Sequence, residues 1–429
     1  GDLPSVSAGW VVSSEKFMQP LATWVDFLKI RGSWGQVGNN NIGAYLYAST
    51  VTLDGVGYNF GTGKGSAADV AGAISNRLGN SELKWETSEQ TDLGFDARFL
   101  NSRLGLNFDW YYKKTKDWIV QAAVIATAGA DAPFINGGDV TNKGVEIGLT
   151  WDDKIGKDFC YNIGANMAYN KNKVGRIPTV DGMIHGSTNV MFNNQTEFYR
   201  CSDGHAMGYF WGYRTAGIFQ NQQELNDWVA AGNGVTANTG VGDVKFVDMN
   251  HDGVINDKDK VDLGNGIPKY SFGFNLGCSY KHFDFSATFS GAADFKVANG
   301  GYRNWGNSSL SNYTTYFLQR WTGEGTSNKI PRLTNDDHNW TSFSDLYLED
   351  GDYLRIANIT IGYDFAHFLH TKYISQARLY FQVQNLYTFT DYSGMDPEVG
   401  FGQDAWVSGI DTGVYPHART FMVGVNLKF

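Results

Sequence analysis

Strict alternation of apolar and polar residues recurs along most of this chain. Near the carboxyl end, Phe421, Val423 and Val425 alternate with small or polar neighbours such as Gly424. A period of two is typical of β-strands that have one apolar and one polar face. A helical period stands out only at 222–231, so the sequence predicts an all-β protein. Similar alternation predicts further strands at 104–112, 145–151, 161–169, 271–280, 283–289 and 359–365.

The length and chemistry of these segments favour a membrane barrel over a soluble sandwich, which alternation alone also fits. Many segments run for about 9 to 11 residues, the length that a tilted strand needs to cross a bilayer, whereas soluble strands usually have about 5 to 6. The side chains on the polar face are small and mostly uncharged. Aromatic residues crowd segment ends, as at 110–112 and 387–389, which is typical of interfacial girdles.

The connections between the predicted strands come in two sizes. Tight turns join strands near 100–103 and 281–282. Long polar segments at the other ends of the strands would be extracellular loops. We therefore predict a transmembrane antiparallel β-barrel with about 12 to 14 strands in this chain. The predicted extracellular loops are 172–205, 220–268, 292–350 and 391–418.

The composition argues against several classes of function. The chain has 52 Gly among 429 residues and only 18% charged residues, which is unlike an ordinary soluble helical enzyme. The net charge is −10 and no basic stripe is present, so nucleic acid is not a predicted partner. The three cysteines are too few for a disulfide framework. No spacing of nucleophile, base or paired carboxylates justifies an enzyme.

A segment within 243–262 fits the spacing of an EF-hand calcium loop. Oxygen-bearing side chains occupy loop positions 1, 3, 5, 9 and 12, and Gly253 at position 6 permits the sharp bend. The last position is Asp rather than the usual Glu. The alternative is a turn rich in Asp and Asn whose side chains form hydrogen bonds with the backbone of the turn itself. The predicted ligands of a structural Ca²⁺ are the side chains of Asp248, Asn250, Asp252, Asn256 and Asp259 and the carbonyl of Val254.

Aromatic residues in the long loops are candidates for contact with a substrate. They lie beside Asn, Asp and Arg, a mixture that stacks on sugar faces and hydrogen-bonds hydroxyl groups. The alternative is that they pack the loops against one another or against a partner. The candidates are Tyr302, Trp305, Trp340 and Trp406.

A collinear set of motifs resembles one known family, the SusC-like TonB-dependent outer-membrane transporters of the Bacteroidetes type. The segment Leu28–Asn39 resembles that family's LKLRxSxGxxGN strand, and Gly242–Asp248 resembles its GDxKxxD stretch. The match is to the C-terminal barrel portion of the family. Further matching segments are 142–146, 353–356, 385–386, 394–398 and 415–416.

This resemblance implies a fold, a location and a set of partners. Family members close barrels of 22 strands around an N-terminal plug, and residues 1–429 show neither the plug nor the early strands. We therefore expect the chain to be the C-terminal part of the barrel and to assemble with an N-terminal portion, made separately or released by cleavage. The resemblance also implies an outer-membrane location, a SusD-like surface lipoprotein and energy from TonB.

The expected function is import of an oligosaccharide across the outer membrane, with an oligopeptide as the second candidate substrate. The alternative is a passive porin or a surface-adhesin barrel. An N-terminal plug in the companion portion distinguishes the two. No bond chemistry is expected.

Overall fold

A large antiparallel sheet dominates the computed structural model of this protein. Its eleven strands follow one another in chain order, each hydrogen-bonded to the next. They are β1 (Ser5–Val11), β2 (Val25–Asn39), β3 (Glu86–Phe99), β4 (Leu104–Lys116), β5 (Val140–Ile155), β6 (Phe159–Val174), β7 (Tyr270–Tyr280), β8 (Phe283–Ala293), β9 (Tyr353–Asp364), β10 (Gln376–Thr390) and β11 (Thr420–Lys428). The structure describes residues 2–39, 43, 45–53, 57–58, 70–121, 127, 129–192, 195–301, 313–334, 338–369, 373–398, 404 and 406–429.

Shorter elements lie in the connections. The short strands are Thr50–Thr52, Gly57–Tyr58, Val70–Ala71, Ile74–Arg77, Ile119–Gln121, Phe134–Asn136, Met183–His185, Tyr199–Ser202, Tyr209–Tyr213, Thr215–Ile218, Val244–Phe246, Lys260–Asn265, Lys296–Asn299, Leu348–Asp350 and Ile410–Asp411. The helices are α1 (Gln222–Ala230), α2 (His338–Thr341) and α3 (Ala366–Leu369), and the 3₁₀ segments are Val12–Ser14, Lys16–Leu21, Asp257–Asp259, Thr315–Gln319 and Asp345–Tyr347. Within the described residues, no helix is long and apolar enough to cross a membrane.

The predicted alternation is confirmed by the register of the sheet. One row of paired residues runs across β8 to β11 and consists of Phe285, Ile361, Phe381 and Val423. These side chains share one face of the sheet because successive residues of a strand point to opposite sides. The next row lies on the other face and contains small or polar side chains. In this row Ser286 pairs with Thr360, and Thr360 pairs with Gln382. The sheet therefore has an apolar face for lipid and a polar face for the lumen.

The strand count is lower than predicted. Eleven strands form the large sheet within the described residues, against the expected 12 to 14. The predicted loops 172–205 and 220–268 belong to one connection, 175–269, and the residues between them do not cross the wall. Strands Tyr209–Tyr213 and Thr215–Ile218 pair instead with other short strands of this connection. Alternation over four or five residues does not distinguish a wall strand from a strand within a loop.

The two ends of the sheet differ in the length of their connections, as predicted. At one end the turns 100–103, 156–158 and 281–282 are short. At the other end the connections are long, and the largest hydrophobic core of the molecule lies among them rather than in the wall. The long connections are 40–85, 117–139, 175–269, 294–352 and 391–419.

Candidate functional site

Three long connections pack around one hydrophobic core, and we call connections 175–269, 294–352 and 391–419 the loop cap. Its core is built mainly from aromatic side chains that are almost completely buried. Short strands reinforce the packing, since Lys296–Asn299 pairs in parallel with Ile410–Asp411. The loop cap is thus a folded unit and not a set of separate loops. Its core includes Phe198, Phe210, Phe317, Trp340, Phe343, Tyr347 and Ile410.

A buried carboxylate joins two connections of the loop cap. Asp243 is 0% exposed, and its oxygens accept hydrogen bonds from Arg332 Nε at 2.8 Å and Arg332 Nη2 at 2.9 Å. Asn339 Nδ2 donates to the same carboxylate at 3.0 Å, and His338 Nε2 lies 2.9 Å from it. Burial alone would raise the pKa of Asp243, but these hydrogen bonds outweigh burial and lower the pKa well below its usual range. Asp243 therefore stays charged and fixes its partners.

The other polar residues of the motif Gly242–Asp248 have separate contacts. Lys245 is buried, forms an ion pair with Glu224 of α1 and lies over the ring of Phe219 at 5.5 Å. Asn221 caps the N-terminus of helix α1, and its side chain accepts a hydrogen bond from the Glu224 backbone N–H. The motif is thus explained by packing within the loop cap.

The predicted calcium ligands lie in one loop between strands Val244–Phe246 and Lys260–Asn265. Asp248 and Asp259 are 1% and 0% exposed, and both accept backbone hydrogen bonds. Gly253 N donates to Asp248 Oδ2 at 2.7 Å, and Met249 N donates to Asp259 Oδ1 at 3.0 Å. None of the ion pairs recorded for the described residues includes either carboxylate. Backbone hydrogen bonds from Gly253 and its neighbours outweigh burial and lower the pKa of Asp248.

The remaining predicted ligands of this loop are more exposed. Asp252 Oδ1 accepts from Val254 N at 3.0 Å, and the Val254 carbonyl accepts from Asn256 Nδ2 at 3.2 Å. Asn250 Nδ2 donates to Asp252 Oδ2 at 2.9 Å. The oxygens are held by local hydrogen bonds, so both the calcium prediction and its Asx-turn alternative remain compatible with this geometry. Calcium at this loop stays a prediction.

The predicted substrate aromatics have different surroundings. Trp340 is 3% exposed, and its ring packs in the core of the loop cap against Phe317 and Tyr347. Trp406 is half-buried and lines a cavity. Tyr302 and Trp305 lie outside the residues that the structure describes. Their contact with substrate stays a prediction, and for Trp340 the geometry indicates a packing role.

The cavity that contains Trp406 has a volume of about 630 Å³ and lies where the end of β2 and the start of β3 meet connections 117–139, 175–269 and 391–419. Its apolar lining includes aromatic and thioether side chains. Its polar lining includes two carboxylates, Glu86 and Asp404. The principal apolar lining residues are Trp118, Phe134, Met183, Ile184, Met207 and Trp406.

Both carboxylates of this cavity are held by uncharged donors. Glu86 Oε1 accepts from the backbone N–H of Ile119 at 2.9 Å, and Oε2 accepts from Asn39 Nδ2 at 2.8 Å. Asp404 Oδ2 accepts from the Tyr199 hydroxyl at 2.5 Å and from Ser187 Oγ at 3.0 Å. Burial and the hydrogen bond to Asp404 raise the pKa of Tyr199, which keeps the phenol protonated as a donor.

A histidine on the cavity wall lies between two further carboxylates. His185 Nε2 is 2.6 Å from Asp181 Oδ2, and His185 Nδ1 is 2.8 Å from Glu197 Oε2. Burial alone would lower the pKa of His185, but the two hydrogen bonds outweigh burial and raise it. Arg200 also donates to both oxygens of Glu197 at 2.9 Å. The sequence did not reveal Glu86, Asp404 or this group as site residues, because only the spacing of Asp181 and His185 indicates a contact.

The closing motifs of the sequence meet in one ion-pair network. Arg355 of β9 contacts Asp396 at 2.8 Å and also contacts Glu398. His417 Nδ1 is 2.7 Å from Asp396. Among the described residues, Asp396, Glu398 and His417 are the one group of three metal-ligating side chains that converge within 4.8 Å. Arg355 belongs to the wall, whereas both carboxylates belong to connection 391–419. The contacts of the Arg355 cation with these carboxylates therefore join the connection to the wall.

Comparison with known proteins gives this architecture a family. A model described as TonB dependent receptor-like, beta-barrel matches residues 1–386. The chain belongs to this family. As a TonB-dependent receptor-like β-barrel it is a protein of the outer membrane, and both its barrel fold and its location are as predicted.

Individual relatives of this TonB-dependent receptor-like barrel cover its whole length. TonB-dependent receptor P3 of Formosa agariphila is 30% identical over 440 residues, which is 99% of this chain and 42% of the relative. TonB-dependent receptor SusC of Bacteroides thetaiotaomicron is 28% identical over 454 residues, or 100% of this chain and 40% of that protein. The chain thus spans about two-fifths of the length of these relatives.

Solved structures show the same fold for this stretch. The structure of the RagAB peptide transporter has a TM-score of 0.77 at 22% identity, covering 100% of this chain and 43% of the other. The RagAB peptide importer in its open-open state has a TM-score of 0.73 at 23% identity, covering 99% and 42%. The eleven-stranded sheet is therefore a partial TonB-dependent receptor barrel wall.

Proposed function

We propose that this chain forms the C-terminal part of a TonB-dependent importer that moves an oligomeric nutrient across the outer membrane. The observation that carries the proposal is the two-faced sheet of a TonB-dependent receptor family member, with a folded loop cap at one end. The outward rows are apolar, as lipid requires, and the inward rows are polar, as an aqueous path requires. Transport, not bond chemistry, is the proposed activity.

An N-terminal portion that carries the plug and further strands is the first proposed partner. Within the described residues, β1 and β11 each pair with a neighbour on one side only. Unpaired backbone groups in lipid cost several kcal/mol each. Pairing of both edges with further strands would close the sheet into a barrel. TonB would act on the plug of that portion.

A SusD-like surface lipoprotein is the second proposed partner, seated on the loop cap. The proposal draws on the similarity to SusC and on the packed core of the loop cap, which makes it a rigid platform. The third partner is the substrate. An oligosaccharide is the first candidate, with Trp406 as a stacking surface. An oligopeptide is the second, because structures named as a peptide transporter share this fold.

A structural Ca²⁺ in the loop 248–259 is also proposed. Two buried carboxylates, Asp248 and Asp259, have backbone N–H donors but no recorded ion-pair partner among the described residues. A divalent cation would compensate their charge and stiffen the loop. Binding requires the more exposed oxygens of Asn250, Asp252 and Asn256 to turn inward.

The decisive experiment is mass spectrometry of the complex purified in detergent from its native membrane, with identification of every chain that co-purifies. Recovery of a plug-bearing portion and a surface lipoprotein would support the importer. Recovery of this chain without a plug would favour the alternative of a passive porin or surface-adhesin barrel. Uptake of labelled oligosaccharides and oligopeptides by cells with and without TonB then tests energised transport directly.

A further inference from the structure

Two carboxylates of the cavity described above have no cationic partner among the residues that the structure describes. Some carboxylates elsewhere in the described part of the chain are paired with cations, such as Asp243 with Arg332 and Asp396 with Arg355. None of the ion pairs formed by the described residues includes Glu86 or Asp404. Their donors are a backbone N–H, an amide and two hydroxyl groups. The cavity therefore contains negative charge that the described protein residues do not neutralise.

The other charged groups near this cavity balance one another. Asp181 and Glu197 contact His185 from both sides, and Arg200 forms paired hydrogen bonds with Glu197. Asp181 and Glu197 therefore have partners of their own within the described residues. The lining carboxylates Glu86 and Asp404 have no such partner among the described residues. No Lys or Arg belongs to the described residues that line the cavity.

The rest of the lining is apolar and aromatic. Trp118 and Trp406 line the cavity with Phe134, and Met183 and Met207 add thioether surface. Trp406 is held by packing against Tyr199, with ring centroids 5.3 Å apart, and Tyr199 also donates to Asp404. One buried tyrosine thus fixes both an aromatic face and a carboxylate. An aromatic face beside a carboxylate attracts a cation through the ring quadrupole and the charge together.

We propose that this cavity is a subsite for a primary ammonium group carried on a residue with an apolar face. The proposal rests on the import function proposed above and adds a chemical requirement to the imported molecule. A neutral sugar would leave both carboxylates uncompensated, and an anionic group would be repelled. Two kinds of building block carry a primary ammonium group: a basic residue of an oligopeptide and an amino sugar of an oligosaccharide.

Matched probes that differ only in the ammonium group test the proposal on the whole transporter with its natural partners. The first pair is a blocked tetrapeptide with one lysine and the same peptide with norleucine in that place. The second pair is a glucosamine trimer and its N-acetylated form. Calorimetric titration is expected to show roughly tenfold tighter binding of the ammonium member of at least one pair. The pair that shows the preference identifies the source.

Variants then assign the effect to this cavity. Asp404→Asn keeps an oxygen for the donors Tyr199 and Ser187 but removes the charge, and it is expected to abolish the preference. Glu86→Gln carries the same test if the first variant fails to assemble. Asp203→Asn removes an equal charge from an exposed turn outside the cavity lining and should leave the preference intact.

Two outcomes would overturn the proposal. One is equal binding within both pairs, and the other is an ammonium preference that both cavity variants retain. The import function is judged separately by uptake. Uptake that does not require TonB would reject the importer whatever the probes show, whereas TonB-dependent uptake with equal probe binding would reject only the ammonium subsite.

Discussion

Arg31 on β2 forms paired hydrogen bonds with Asp109 on β4, two strands away. Its Nη1 lies 2.5 Å from Oδ1 and its Nη2 lies 2.6 Å from Oδ2. The register places Gly94 of β3 between them, opposite both residues. A Cβ on Gly94 would lie 2.3 Å from Asp109 Oδ1 and 2.6 Å from the Phe108 carbonyl oxygen. The ion pair therefore passes over the intervening strand only because that strand has a glycine there.

A similar arrangement recurs on the same face, nearer the other edge of the sheet. Arg378 of β10 contacts Asp284 of β8, with 2.5 Å between Nη2 and Oδ2, above Gly362 of β9. A Cβ on Gly362 would lie 2.5 Å from both Arg378 Nε and Asp284 Oδ1. Ion pairs that span three strands thus stabilise the wall on its polar face.

Substitution of Gly94 by alanine is expected to destabilise the wall. The added methyl group would displace Asp109 and weaken its contact with Arg31, at roughly 1–3 kcal/mol of unfolding free energy. Urea unfolding of the whole transporter in detergent measures the change. Gly148→Ala is the matched control, because a Cβ there would meet only Asn107 Cβ at 3.8 Å. Equal effects of the two substitutions would contradict the explanation.

Asp243→Asn is expected to loosen the loop cap and leave the wall intact. Removing the charge leaves Arg332 without its carboxylate, and loss of one member of such a pair is expected to destabilise the loop cap by roughly 2–4 kcal/mol. Limited proteolysis should then cut within 220–268 and 294–352, while the heat-resistant migration of the barrel on gels stays unchanged. Asp227→Asn, an exposed change on α1, should cause no new cleavage.

Chelation of calcium is expected to expose the loop 248–259 to proteases. Excess calcium should restore protection, with an apparent Kd on the order of 10⁻⁴ to 10⁻³ M, as in extracellular calcium modules. Asp252→Asn should weaken that protection because it removes a proposed ligand charge. Asp257→Asn, whose exposed side chain pairs with Lys260, should not. Cleavage that is the same with chelator and with calcium would favour the Asx-turn alternative.

The contact between His185 and its two carboxylates is expected to weaken at alkaline pH. The folded pKa of His185 is raised above its unfolded value of about 6.5, so its contribution is complete below that value and is lost as pH rises through the folded pKa. Hydrogen-exchange protection factors for 183–187 should therefore fall, by roughly threefold for a half-exposed pair. His185→Gln should show no such dependence, and an unchanged pH response in that variant would rule the histidine out.

The sequence predicted the wall well because its signal is local. Each of the seven alternating segments lies within one of the strands β4 to β9 and β11 or extends past it by one residue, since alternation needs only neighbouring residues to be read. The exception was the number of strands in the wall. Residues 209–218 contain apolar positions like those of a wall strand, and only their pairing with strands of the same connection shows that they belong to the loop cap.

The candidate site was much less predictable because its contacts are distant in sequence. The motif Gly242–Asp248 was recognised, but Asp243 meets Arg332 and Asn339, which are 89 and 96 positions away. Asp404 and Tyr199 are 205 positions apart. No spacing rule links residues that are brought together only by the packing of separate connections. The calcium loop could be proposed from the sequence because its predicted ligands lie within the twelve residues 248–259, and calcium there stays a prediction.

The shared core of the loop cap limits how its specificity can be altered. Phe198, Phe317 and Ile410 come from three different connections, and each is almost fully buried in the core that these connections share. Exchange of a single connection with that of a relative would leave apolar side chains of the other two facing water. New substrate preference should therefore be transplanted by moving all three connections together, and single-loop chimeras are expected to yield misassembled barrels rather than altered transporters.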